Sequence, residues 1–410
     1  MTSEPRRLAL VHYTAPPVLG GVEAILGEQA RWLRRLGHDV KIVTGRGEGV
    51  VIPLVDSRHP RIEALAHALA EGQEPAAEIA ALTAELVAAL APHLEDRDCV
   101  IAHNVLTMPF NLPLARALTR LPVALVAWTH DLAWINPRYA PFQRPGSLLE
   151  ILHTAQPGVR YVAISQVRQE EIERTLDPAA GEVSVIPNGI DAASFLGVTV
   201  ETRDVLRRAG VTDAGPLILV PVRVTQRKRL ELAVEAAKLL RRSHPGLQIV
   251  VTGPLGPHDR ANTGYAARLL DLRSRLGLTE TVHFLFEAAS EGSPHPVTGE
   301  MVTELYRLCD LVLLTSESEG FGLPVLEAAL SRAPIVTTDL PVLKEVAGGD
   351  GLLTFPLDGD PSQVAAAIER GLGTEAARLR RRVLSRHDWP AVIAHTLMAL
   401  PASQPGEAHK

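Results

Sequence analysis

The chain has 410 residues, 46% of them hydrophobic and 21% charged, which suits two ordinary globular domains and excludes long disordered tracts. A net charge of −6 leaves no electrostatic footprint of a nucleic-acid binder. The two cysteines, Cys99 and Cys309, stand far apart beside apolar runs, which predicts reduced core thiols and a cytoplasmic protein rather than a disulfide or a zinc site.

In chain order, residues 8–13 read as a strand and 15–21 as a Pro/Gly loop. A helix follows to Leu36, because Val22, Ile25, Leu26, Leu33 and Leu36 recur at helical spacing and Gly37 caps the end. Arg6 and Arg7 precede the first apolar stretch, but His12 breaks it. No apolar run approaches the roughly 18 residues of a membrane span, so neither a signal peptide nor a transmembrane helix is expected. Short apolar runs at 40–44, 99–102, 123–128 and 161–164 alternate with helical segments, including the Ala-rich helix 74–92. Such alternation specifies a parallel sheet covered on both faces. After the turn-rich segment Ile186-Pro187-Asn188-Gly189-Ile190-Asp191 the pattern repeats, with runs at 217–224, 247–252, 282–285, 311–315, 334–337 and 351–355. The expected fold is α/β, with two doubly wound Rossmann-like domains at 1–190 and 191–388, and ligands beyond the carboxyl ends of the strands.

Two short motifs fail on context. Gly45-Arg46-Gly47-Glu48-Gly49 follows a strand, but a dinucleotide fingerprint wants a glycine at Val50 and then a helix, whereas 50–55 reads as another strand. Asp96 and Asp98 resemble a metal-holding carboxylate pair, yet they precede the strand at Cys99 and lie at its wrong end, as a solvated loop would. No metal site is expected. Asp358-Gly359-Asp360 reads as a turn entering a helix.

Glu319-Gly320-Phe321-Gly322-Leu323-Pro324-Val325-Leu326-Glu327 directly follows the run at 311–315. Two glycines let backbone N–H groups approach a ligand, and Pro324 suits the first turn of a helix. That helix N-terminus would stabilise a diphosphate, with Glu319 and Glu327 bracketing the loop so that both reach one nucleotide sugar. Arg223 ends the first strand of the second domain and Lys228 opens a helix five residues later, a pair of cations able to clamp a diphosphate.

These residues resemble glycosyltransferase family 4, the large retaining group with the GT-B fold of two facing domains and an interdomain cleft. Glu319 to Glu327 fits its Glu-x7-Glu motif, and Arg223 with Lys228 fits its phosphate-binding pair. Gly20-Gly21-Val22-Glu23 looks like its N-terminal glycine loop, and Asp388-Trp389 like the start of a C-terminal helix, 389–410 with the tail, returning to the first domain. The resemblance implies that Arg223 and Lys228 hold the diphosphate and Glu327 the ribose hydroxyls. Glu319 and the Phe321, Gly322 and Leu323 backbone orient the sugar, Gly20 and Gly21 line the donor, and His130 contacts the sugar from the first domain. His103-Asn104 occupies the same edge as His130, with loop capping as the competing role. Two departures from the pattern are the long loop 287–300 and Ser331-Arg332-Ala333, which lacks a glycine.

The implied reaction transfers a hexose from a nucleotide diphosphate sugar, of GDP-mannose or UDP-glucose type, with retention and without cofactor or metal. The first 196 residues carry 17 basic against 22 acidic side chains, net −5, leaving −1 for the rest. The acidic domain disfavours stable membrane association despite the local patch Arg31, Arg34 and Arg35. Asp131, Trp134, Arg138 and Tyr139, with Arg144, offer stacking and pairing groups for a small polar acceptor such as a sugar phosphate or hydroxy acid. A nucleotide-sugar epimerase and a binding protein without turnover are the competing readings.

Overall fold

The structure, a computed structural model, describes residues 4–176, 181–212, 215–253, 260–288, 297–349 and 351–401. The chain forms two units, Met1–Gly189 with Trp389–Lys410, and Ile190–Asp388. In the first, strands β1 (Arg7–Thr14), β2 (Asp39–Arg46), β3 (Val50–Val51), β4 (Cys99–His103), β5 (Leu125–Thr129), β6 (Val159–Ala163) and β7 (Ser184–Val185) make one sheet. Their order is β3-β2-β1-β4-β5-β6-β7, and every pairing is parallel. Helices α1 (Gly21–Arg35), α2 (Pro60–Ala70), α3 (Ala76–Leu94), α4 (Leu112–Leu118) and α5 (Gln166–Thr175) complete the crossovers.

Alternation along β1 shows why both faces are covered. Leu8 and Leu10 pack on one side with Leu26, Ala30 and Leu33 of α1. Ala9, Val11 and Tyr13 point the other way, among residues of α2, α3 and α4. The helix Trp389–Ala399 closes the first side, with Trp389, Val392 and Ile393 buried in the same cluster. Gly189 leaves the room this needs, since a Cβ there would lie 2.5 Å from the Trp389 indole.

The second unit repeats the scheme with β8 (Leu217–Val220), β9 (Gln248–Val251), β10 (Val282–Phe284), β11 (Leu311–Leu314), β12 (Ile335–Thr338) and β13 (Leu353–Phe355). They lie parallel in the order β10-β9-β8-β11-β12-β13. Its helices are α6 (Ala192–Phe195), α7 (Val200–Arg208), α8 (Leu230–Leu240), α9 (Arg260–Arg275), α10 (Gly299–Leu308), α11 (Leu323–Leu330), α12 (Pro341–Val346), α13 (Pro361–Leu372) and α14 (Glu375–Arg386). Asp360 caps α13 through its own carboxylate and Gln363. The expected pair of doubly wound, Rossmann-like sheets is thus present. In each, the strand order reverses once, between β1 and β4 and between β8 and β11, and such switch points are where open sheets bind ligands.

Three local expectations change. The strand expected over 50–55 stops at Val51, and 53–55 form a 3₁₀ turn, because Pro53 has no N–H for a ladder. Asp96 and Asp98 are ion-paired rather than merely solvated: Asp98 meets Arg7, and Asp96 meets Lys41 and Arg97. One helix, α3, does reach the length and apolarity of a membrane span, with a mean hydropathy of 1.3. It is a core helix: Ile79, Leu82, Leu86, Leu90 and Leu94 are buried, while Glu78 and Glu85 on its outer face pair with Arg61. Cys99 and Cys309 are both free and buried, as expected of core thiols.

Trp389→Ala should destabilise the first unit by about 3–5 kcal/mol, the usual cost of emptying a large buried aromatic site. Denaturant unfolding followed by tryptophan-independent circular dichroism checks this, and an unchanged midpoint would show that the C-terminal helix contributes nothing to that core.

Candidate active site

In the second unit the segments leaving β8 and β11 are stitched together. Thr315 Oγ1 donates to the Lys228 carbonyl at 2.6 Å, Glu317 N donates to the Arg227 carbonyl at 2.8 Å, and an Arg227 guanidinium nitrogen donates to the Ser318 carbonyl at 3.0 Å. These ties bring Lys228 Nζ onto Glu319 Oε1, with each side chain only 10% exposed. A second cation, Arg227, stands 3.9 Å from the other Glu319 oxygen. Lys228 does not open a helix as expected. It ends a 3₁₀ turn, and Arg229 in the left-handed region separates it from α8, which turns the Lys228 side chain back toward Glu319.

At the same carboxyl edge, where the segments after β8, β9 and β11 emerge, lies a cavity of about 320 Å³ whose wall includes Arg223, Thr252, Gly253, Thr298, Leu323 and Glu327. Its backbone walls approach closely: a Cβ on Gly253 would fall 1.9 Å from the Val222 carbonyl oxygen. Arg223 and Lys228, expected as one clamp, are therefore placed differently, Arg223 exposed on the cavity wall and Lys228 buried against Glu319. Glu319 and Glu327 also part company, since Glu327 is exposed at the cavity. Burial pushes the Tyr306 hydroxyl up, and the Glu327 carboxylate beside it pushes further. Tyr306, which no local sequence pattern marks, thus backs Glu327. Gly322 is the N-cap of α11 with φ +99, and no side chain caps that end; Phe321 and Leu323 beside it are exposed. The amides of the first turn are left to a ligand or water. Of the long loop expected over 287–300, residues 289–296 lie outside the described residues.

At the first unit's carboxyl edge, Asn104 adopts φ 55 and its Oδ1 accepts from the His130 and Asp131 amides at 3.1 and 2.9 Å. Loop capping is therefore what Asn104 does. Its neighbour His103 is fully buried, with Nε2 2.9 Å from Gln29 Oε1 and Nδ1 3.1 Å from His130 Nε2. With an amide oxygen at Nε2, His103 Nδ1 is left to accept the His130 proton. Gly20 is the extended N-cap of α1, and Gly21 lines a second cavity, of about 460 Å³, at the β1 and β4 ends.

Most side chains of the loop offered for an acceptor already have partners in the first unit. Trp134 stacks on His153 at 3.6 Å, Arg138 lies over Tyr139, and Tyr139 meets Phe110 edge-on. Asp131 accepts from Leu132 N and Asn136 and faces Arg168 at 3.4 Å. Arg144 donates to the Leu69 carbonyl. In the basic patch of α1, Arg31 pairs with Glu28, Arg34 donates to the Val40 carbonyl, and Arg35 lies over Trp32.

Residues 19–194 match the family described as Glycosyltransferase Family 4, and residues 203–383 that described as Glycosyl transferases group 1. The chain is similar to a D-inositol 3-phosphate glycosyltransferase of Salinispora arenicola, 27% identical over 96% of this chain and 91% of that one. It is also similar to a mannosylglucosylglycerate synthase of Thermotoga maritima, 26% identical over 82% of each chain. Among solved structures, a glycosyltransferase from Rickettsia africae covers 96% of this chain and 97% of its own at 18% identity, with a TM-score of 0.36.

Burial lowers His130 to about 4, with the neighbouring His12 and Arg168 adding to the shift, and burial likewise pushes His103 well below the usual histidine value. Both rings are neutral at pH 7. Because the unfolded chain titrates near 6.5, it takes up protons first as pH falls, and stability is lost from about pH 6.5 down to about 4. The denaturant midpoint should drop between pH 7 and 5, and His130→Gln should flatten part of that slope. An equal slope in the variant would place the titration elsewhere.

Proposed function

From the premise that the chain belongs to the family 4, or group 1, glycosyltransferases, we propose that it moves a hexose from a nucleotide diphosphate sugar to a hydroxyl of a small, soluble, polar acceptor, with retention and without a metal. The observation that carries this is the buried Lys228–Glu319 pair at the switch point of the second sheet, on the same carboxyl edge as the cavity with Arg223 and Glu327 on its wall. A bare buried cation would be costly, and Glu319 offsets that cost while fixing the ammonium in place.

On this reading Arg223, Lys228 and the uncapped amides of α11 receive the charge that grows on the diphosphate as the sugar carbon separates from its oxygen. Glu327 accepts from the ribose hydroxyls, Glu319 and the backbone of Phe321, Gly322 and Leu323 orient the sugar, and His130 contributes as a neutral ring. Attack from the face the phosphate leaves, with that phosphate taking the proton, gives retention. The domains take the roles of acceptor side, 1–190, and donor side, 191–388. Relatives named for D-inositol 3-phosphate and for mannosylglucosylglycerate support trying sugar phosphates and hydroxy acids first. The net −5 of the first 196 residues supports an acceptor outside an anionic bilayer.

A donor is identified by thermal shift, since a nucleotide sugar at 100 times its dissociation constant stabilises by about 2.7 kcal/mol. Lys228→Ala should then cut turnover about a hundredfold or more. It also strands the Glu319 charge, so Lys228→Ala with Glu319→Gln is measured alongside for folding. Turnover within threefold of the parent in a folded variant would reject the clamp.

The anomer of the fresh product, read by NMR, should match the donor, and turnover should persist in excess chelator. An inverted anomer would overturn the phosphate-assisted route, and rescue of a chelated enzyme by magnesium or manganese would overturn metal independence.

A further inference from the structure

Helix α8 begins without a cap of its own. Its N-cap residue, Arg229, stands in the left-handed region at φ 48 and ψ 45, and its side chain makes no capping bond to the first turn. A residue other than glycine holds that conformation only where its surroundings impose it. Leu230, the first helical residue, is fully buried, so its amide must find a partner within the chain. That partner comes from another helix: the Tyr265 hydroxyl of α9 accepts from Leu230 N at 2.7 Å.

The tyrosine is committed to this bond. Its hydroxyl donates to a Glu231 carboxylate oxygen, which leaves its lone pairs for the amide and strengthens them as acceptors. Burial, and then the Glu231 carboxylate, push the hydroxyl up, so it keeps its proton. Its ring is buried, with the Arg268 guanidinium 5.7 Å from the ring centre. Without the hydroxyl, the Leu230 amide would be satisfied by continuing the preceding 3₁₀ turn, in which it donates three residues back to the Arg227 carbonyl. Arg229 would then leave the left-handed region, and the incoming amide would compete with Glu317 N, which donates to that carbonyl at 2.8 Å. Both changes fall on the segment that sets Lys228 against Glu319.

We propose that Tyr265 is a positioning residue of the transfer site: by taking the Leu230 amide it holds Arg229 left-handed and so keeps the Lys228 ammonium where the Glu319 loop meets it. Its effect on turnover rests on the transferase reading above, while the cap itself is open to measurement without a donor.

Tyr265→Phe removes the hydroxyl and keeps the ring. Amide hydrogen exchange at Leu230, followed by NMR in the free protein, should quicken about tenfold, the usual worth of one hydrogen bond. In transfer assays kcat should fall by about the same factor, with the KM for the nucleotide sugar moving less, because Lys228 acts as charge grows on the leaving group. In a Lys228→Ala background the same substitution should change turnover by less than about twofold, whereas a tyrosine that only steadied the core would cost as much there as in the parent. Arg229→Gly takes the left-handed turn without strain, so adding it to Tyr265→Phe should recover most of the lost kcat, and should restore folding where the single variant does not fold. Unchanged Leu230 exchange, parent kcat in folded Tyr265→Phe, an equal loss in the Lys228→Ala background, or no recovery with Arg229→Gly overturns the proposal. Failure of every nucleotide sugar to stabilise the chain would instead sink the transferase reading, because Leu230 exchange reports on the cap without a donor.

Discussion

A parallel ladder cannot be closed by a tight turn, so each strand of both sheets is followed by a crossover and every segment leaving a strand emerges at one edge. The strand order then decides what meets there. Where it reverses, the segments on either side diverge to opposite faces and leave a crevice. Lys228 after β8 and Glu319 after β11 are 91 residues apart in sequence, yet the β8–β11 pairing of Leu311 with Ile218 and Val312 with Leu219 makes them neighbours. In the first unit the same logic brings His12 after the start of β1 toward His103 at the end of β4.

Withdrawing two charges from water costs several kcal/mol per ion, and the attraction between them offsets this only in good geometry. Lys228 and Glu319 have that geometry because the loops carrying them are tied at Thr315, Glu317 and Ser318 by hydrogen bonds separate from the ion pair. The ion pairs around Arg61 have no such support and stand in solvent, where pairs of this kind are worth little. The buried pair is therefore better understood as a positioning device than as a source of stability, and at the same edge Gly253 allows a close backbone approach and Gly322 a left-handed turn.

Much of this was legible in the sequence, for reasons that differ by level. The apolar runs gave nearly every strand because a buried parallel strand must be apolar on both faces, although the run at 217–224 yields hydrogen-bonded strand only over Leu217–Val220. Glu319 and Glu327 could be marked because their spacing is local, as could Pro324 at the start of α11. What spacing does not carry is environment. Nothing near Lys228 in sequence announces Glu319 as its partner, Tyr306 backs Glu327 from another helix, and the contacts of His103 with Gln29 and His130 are likewise long-range. In the Ala-rich α3, Glu78 and Glu85 interrupt any unbroken apolar run, while its leucines and alanines still bring the mean hydropathy to 1.3.

The two sheet edges differ in the charge they hold, and the difference suits two kinds of chemistry. At the second, Arg223, Arg227 and Lys228 supply fixed positive charge, which favours a group that becomes more negative as it departs. At the first, burial keeps His12, His103 and His130 from charging, so their nitrogens offer lone pairs and neutral N–H groups. A charged imidazole there would compete for the Glu23 carboxylate at 4.0 Å and close the cavity on itself. A neutral one avoids that competition. On the proposed reading the departing phosphate takes the proton of the attacking hydroxyl, so the protein has no need of a strongly basic side chain at this edge, and the burial that makes the histidines weak bases is compatible with the reaction.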